Sequence, residues 1–229
     1  MRYLVAETNW TLMTLAQDLA ERGLLVSRVE NAEDVAHHLA MVPADLLIAE
    51  AGRFGPGGLS LRALRETGPG LPIALIAREP SQRQITECLA AGADTVIDAA
   101  IPPDEMAARL MAVARRAHGL STTELHCGPL VIDLAARRAQ LNGAWLHLTP
   151  KIYELLEYLA LRPGALVSRD ALLTHIYGLE SEPDSRVFDV YLCTLRNHLR
   201  DVSDEISIHT ARGEGFRFIG PAAPDRSAA

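Results

Sequence analysis

The chain has 229 residues, room for two ordinary domains that each bury a core. Hydrophobic residues make up 48% and charged ones 22%, which excludes a disordered or fibrous chain. The net charge of −7 divides into 11 Arg against 15 acids through residue 120 and 10 Arg plus Lys151 against 14 acids after it, so neither half binds nucleic acid through bulk charge.

Up to residue 118, short apolar runs alternate with helical patterns. The runs are "YLVAE" (3–7), "LLVSRV" (24–29), "LLIAE" (46–50), "PIALIA" (72–77) and "TVID" (95–98). The spacing predicts helices near 9–22, 32–41, 59–66, 81–91 and 103–117, the last opened by Pro102-Pro103 and Asp104. Five such repeats with short connections predict an α/β doubly wound five-stranded parallel sheet. Glu50 closes the third run and is followed by the Gly/Pro-rich "AGRFGPGG", which puts a carboxylate at the carboxyl end of a strand. Open sheets of this kind place their chemistry there.

"HGLSTTE" (118–124) is polar and weakly patterned, so residues 119–124 are expected to be a linker between a domain at 1–118 and one at 125–221. In the second domain, alternation over 130–149 is broken by Asn142-Gly143, a strong hairpin signal. Helical patterns follow at 150–161, 168–177 and 184–201, and two strands flank "RGEG" within 206–219. Strands, three helices and a terminal hairpin describe an α+β winged helix-turn-helix. Residues 222–229 are expected to be a disordered tail.

Cys88, Cys127 and Cys193 are odd in number and far apart, and the eight His are scattered. No disulfide framework, metal site or cofactor is expected from them. No apolar stretch is long enough to span a membrane and the start lacks a signal-peptide pattern, so the expected location is the cytoplasm, with no membrane partner. No Gly-rich dinucleotide fingerprint follows the first strand and no nucleophile–base pair is visible, so no catalytic residue is assigned and an enzyme is not expected.

At 100° per residue, Phe188, Leu192, Leu195 and Leu199 fall in one arc of the 184–201 helix and form its core face. The opposite arc holds Arg186, Val190, Cys193 and Asn197, with Thr194 and Arg200 on its shoulders. Arg suits guanine, Asn suits adenine, and Val or Thr methyls suit thymine, so the face is fit for a major groove; an ordinary solvated face has the same pattern.

Beyond the helix itself, "LTPKIYELLEYL", "SRDALLTHIYG", "DVYLCTLRNHLR" and "ARGEGFRF" resemble, in order and spacing, the effector domain of OmpR/PhoB-family response regulators over about residues 126–220. The resemblance implies that Arg186, Thr194 and Asn197 face the groove. It further implies that Tyr177, Arg196, Thr210 and Arg212 hold phosphates, with Arg212 reaching the minor groove. The partner so implied is double-stranded DNA at promoter sites. Many relatives carry Arg or Lys at Cys193, Thr194, Asn197 and His198; their loss predicts a shallower salt dependence.

The first 118 residues then resemble that family's CheY-like receiver, with its chemistry removed. Such a domain accepts a phosphoryl group on a strand-end Asp and needs Mg²⁺, a hard ion held by carboxylates. Glu50 stands in place of that Asp. Glu7 is present in the acidic pocket but its neighbour is Thr8, while Ala77 and Ala99 replace the hydroxyl and the lysine, and Val96 the aromatic switch. Ordinary aspartyl phosphorylation is therefore not expected. Glu50 is either a partial mimic of a phosphorylated side chain or a solvated strand-end carboxylate, and Ala77, Ala99 and Val96 remove the residues that would respond to mimicry. The family's dimerisation surface implies a homodimer through the receiver, using Asp94, Glu105, Arg109 and Arg116. Control by abundance, a small molecule or a protein partner stays open. So does an alternative function, an interaction protein that pairs through its receiver with a related regulator or kinase and binds DNA weakly or only as a heterodimer.

Overall fold

The computed structural model describes residues 1–55, 58–68, 70–178, 185–200 and 206–221. It divides into two compact units, Met1–Ala117 and His118–Ala229.

In the first unit, β1 (Arg2–Ala6), β2 (Leu25–Val29), β3 (Leu46–Glu50), β4 (Ile73–Ala77) and β5 (Thr95–Asp98) form one parallel sheet in the order β2-β1-β3-β4-β5. The three central strands are buried along almost their whole length, as continuous apolar runs covered on both faces must be. The helices α1 (Trp10–Glu21), α2 (Val35–Met41), α3 (Leu61–Thr67), α4 (Gln82–Ala90) and α5 (Pro103–Ala117) connect them. Helix α1 buries Leu12, Leu15, Ala16 and Leu19 at helical spacing. The side chains of Asn9, Ser60 and Ser81 accept from the third amide of α1, α3 and α4 and so satisfy one otherwise orphaned donor in each. Helix α2 starts three residues later than its pattern suggests, because Ala32–Asp34 forms a 3₁₀ turn first. Phe54, in the loop after β3, is fully buried with Leu47, Leu61 and Leu75.

The second unit opens with a four-stranded antiparallel sheet: β6 (Glu124–Cys127), β7 (Leu130–Asp133), β8 (Arg138–Leu141) and β9 (Ala144–Leu146). The expected linker is thus shorter than 119–124, since Glu124 already pairs with Asp133. Asn142 and Gly143 both have positive φ, 51° and 78°, and turn β8 into β9 as a two-residue hairpin loop. Next come α6 (Pro150–Ala160), α7 (Arg169–Tyr177) and α8 (Ser185–Arg200). A second antiparallel sheet, in the order β10-β12-β11, joins β10 (Leu166–Val167) to the closing hairpin β11 (Ser207–Ala211) and β12 (Gly215–Ile219). The expected tail at 222–229 lies outside the described residues.

Gly215 is fixed by close approach. Its φ is 145°, and a Cβ there would stand 2.1 Å from the Val167 carbonyl oxygen, where β12 passes β10. Backbone strain and the clash together give an expected cost of about 2–4 kcal/mol for Gly215→Ala. Urea unfolding followed by circular dichroism measures it; an unchanged midpoint would contradict the packing described.

Candidate nucleic-acid interface and strand-end pocket

Helix α8 buries Phe188, Leu192, Leu195 and Leu199, each no more than 2% exposed. That choice of inward face leaves Val190, Cys193 and Asn197 exposed on the opposite side, with Val190 at 60%. The Thr194 hydroxyl, half-buried beside them, donates to the Val190 carbonyl at 2.8 Å. Arg200 is exposed at the last turn. Arg186 lies in the first turn, and its side chain is outside the described residues.

The closing hairpin is tied to this helix by one residue. Arg196 donates from Nε to the Ile208 carbonyl at 3.0 Å and from Nη2 to Thr210 Oγ1 at 2.6 Å. Two of its five donors are used, and three stay available to an anion. Thr210 accepts from Arg196 and keeps its own hydroxyl proton. Arg212 is exposed in the turn after β11, where the Glu214 amide donates to the Ala211 carbonyl at 3.0 Å. The structure therefore brings Arg196 of α8 and Thr210 of β11 together, with Arg212 farther out at the hairpin tip.

Tyr177 ends α7 and lies half-buried. Its hydroxyl donates to that of Tyr191 at 3.5 Å. Desolvation first, and then this hydrogen bond, push the phenol up to about 12, so at neutral pH it stays protonated. The Lys151 ammonium sits 4.9 Å from the Tyr177 ring centroid and donates to the Ile176 carbonyl at 2.8 Å.

Sequence reasoning missed the ion pair between Arg169 on α7 and Asp189 on α8, at 2.9 Å. It is a contact twenty residues apart that only the helix packing reveals.

At the carboxyl end of the parallel sheet, Glu50 is the last residue of β3 and accepts from Thr8 Oγ1 at 3.0 Å. Glu7 points to a different partner, the Arg28 guanidinium at 3.4 Å. Ala77 and Ala99 line the open cleft of about 470 Å³ above Glu50, with Trp10 and Arg78 on its rim. Trp10, 80% exposed, was not singled out from the sequence, where its place at the start of a helix carries no signal. Among the described residues, no group of three or more His, Cys, Asp or Glu is placed to hold a metal ion. The residues present do not fit a Mg²⁺ ion: one carboxylate accepts from a hydroxyl, the other faces an arginine, and Thr8 brings no charge.

The residues expected at a dimer surface are partly engaged within the chain. Asp94 accepts from the Ile73 amide at 2.7 Å and pairs with Arg65. Glu105 pairs with Arg109 one turn along α5 at 2.6 Å. Arg116 is exposed in the last turn. No helix among the described residues is long and apolar enough to cross a membrane.

The family model described as "Transcriptional regulatory protein, C terminal" matches residues 143–218. The chain is similar to the two-component response regulator PhoP of Pseudomonas aeruginosa, 32% identical over 220 residues that cover 95% of this chain and 98% of that one. It is also similar to the cell cycle transcriptional regulator CtrA of Caulobacter vibrioides, 29% identical over 220 residues, 95% of each chain. Among solved structures, the response regulator DrrB of Thermotoga maritima, an OmpR/PhoB homolog, aligns over 96% of this chain and 98% of its own at 22% identity and a TM-score of 0.42.

Glu7 gives a test of the pocket's electrostatics. Burial raises its carboxyl above the ordinary glutamate value, and the opposing pull of Arg28 is smaller. A folded-state value above the unfolded one means that the ionised form costs stability at neutral pH, a cost that fades as pH falls through the raised value and is gone below the ordinary glutamate value, about 4. Glu7→Gln accordingly raises Tm at pH 7, and the gap from the parent closes on acidification. A lower Tm at pH 7 in scanning calorimetry would show that the Arg28 pair outweighs burial.

Proposed function

The chain belongs to the OmpR/PhoB-type response regulators, and on that premise we propose that it is a sequence-specific transcription regulator that binds double-stranded promoter DNA and acts without aspartyl phosphorylation. The observation that carries the DNA reading is the outward face of α8 and its tie to the closing hairpin. A helix stripped of charge at its centre but bearing Asn197 and two β-branched side chains suits base edges. Arg196, Thr210 and Arg212 flank it with donors suited to phosphate oxygens, and the Tyr177 hydroxyl would join them by turning its proton from Tyr191 to a phosphate. In this reading Arg186 and Arg200 extend the face at its two ends.

Phosphorylation independence rests on the strand-end pocket. Glu50 cannot form the acyl phosphate of an aspartate at the same reach; Thr8 brings a neutral hydroxyl, spent on Glu50, where a carboxylate ligand is needed, and Ala77 and Ala99 offer a transferred phosphoryl group neither a hydroxyl nor a cation. The receiver then serves as a pairing module. Two copies joined through Glu105, Arg109 and Arg116, with Asp94 nearby, would set two effector domains on half-sites about one helical turn apart, roughly 10 bp. Regulation enters through protein abundance, a small molecule or a protein partner.

The test is a gel-shift titration of one specific duplex with protein treated or untreated with a small phosphodonor and Mg²⁺. Affinity, oligomeric state and intact mass are expected to be the same. A mass increase of one phosphoryl group with tighter binding would contradict the proposal. On the untreated protein, Arg212→Ala is expected to weaken binding about equally on all sequences and to lower the salt slope by about 1, whereas Asn197→Ala relaxes preference at one base position at a cost of about 1–3 kcal/mol. Equal loss on every sequence from Asn197→Ala would remove it as a base reader.

A further inference from the structure

Guanine is read most often by a free arginine or lysine fork, and the middle of α8 has none to offer. Between Val187 and Leu199 the sole basic side chain apart from histidine is Arg196, and its Nε and one Nη2 hydrogen are spent on the Ile208 carbonyl and Thr210, which turn the guanidinium toward β11. The acid on the flank, Asp189, is paired with Arg169. Thr194 spends its hydroxyl proton on the Val190 carbonyl. What the face presents is apolar: Val190 at 60% exposure, Val187 at 38%, and the exposed Cys193 beside them. Asn197, one turn on from Cys193, has the face's full amide edge.

Two exposed valines on one helix face need a reason. A β-branched side chain lowers helix propensity, and here the cost is not recovered by burial in the core. An isopropyl group in a major groove meets one apolar feature, the thymine C5 methyl, whereas the same group in water gains nothing.

Resting on the reading of α8 as the groove helix, we propose that the centre of the recognised half-site is specified by thymine methyl groups packed against Val190 and Val187, with Asn197 taking a neighbouring adenine. The half-site core is then T·A-rich, and guanine contacts are confined to the ends of the helix.

The test replaces thymine by uracil one position at a time in a specific duplex. Uracil keeps every hydrogen-bonding group and loses only the methyl. With the full-length protein, one or two positions per half-site are expected to bind about fourfold more weakly when the methyl is absent, the worth of one buried methyl-sized group. In Val190→Ala, a surface change that leaves the core face of α8 untouched, the uracil penalty at one of those positions disappears. Circular dichroism confirms that the variant is folded. Binding that tolerates uracil at every position, or depends on guanines at the half-site centre, overturns the methyl reading while leaving a sequence-specific regulator in place. Binding with no preferred sequence overturns both.

Discussion

Helix α8 has sixteen residues and two obligations, and the burial of Phe188, Leu192, Leu195 and Leu199 settles both. Each of those side chains gains about 1.5–3 kcal/mol by leaving water, more than any surface interaction on the opposite face can contribute. The core therefore fixes the rotation of the helix about its axis, and the rotation fixes which residues face outward. Arg196, on the flank between the two faces, carries the constraint onward. Its bonds to Ile208 and Thr210 set the hairpin against the helix, so that the outward face of α8 and the outer side of β11 are held in a fixed relation. Gly215 completes this by letting β12 pass close to Val167 on β10.

Apolar burial in β1, β3 and β4 still delivers Glu50 to the strand end, where the topology gathers loops around a cleft. Phosphoryl transfer, however, is stabilised almost wholly by charge and positioning. Around Glu50, Thr8 donates to its carboxylate, Arg28 lies beside Glu7, alanines stand at 77 and 99, and Arg78 lines the same cleft. Of Thr8, Glu7, Arg28, Ala77 and Ala99, Ala77 alone belongs to the apolar core, which is built mainly from other side chains.

How much of this was legible in the sequence follows from the range of the interactions. Strands β1, β3 and β4 are announced by local apolar runs, α1 and α8 by local periodicity, and the β8–β9 turn by Asn142-Gly143. The two-residue strand β10 is not, because it exists only through pairing with Phe216 and Arg217 some fifty residues later. Strand β6 hides for a similar reason: "ELHC" alternates, but its polar members merge with the polar stretch before it, and its pairing with β7 decides the matter. At the site, the outward face of α8 is computable from 100° steps. The tie from Arg196 to Thr210, the Arg169–Asp189 pair and the capture of Asp94 by Arg65 are tertiary facts that no local pattern encodes.

The central claim is that this protein reads DNA sequence in its unphosphorylated form. Selection of bound duplexes from a random pool, with purified full-length protein never exposed to a phosphodonor, tests it most directly. The account predicts enrichment of a repeated half-site with centres about 10 bp apart. Recovery of random sequence alone would contradict it, and would favour instead a protein whose receiver pairs with a related regulator or kinase.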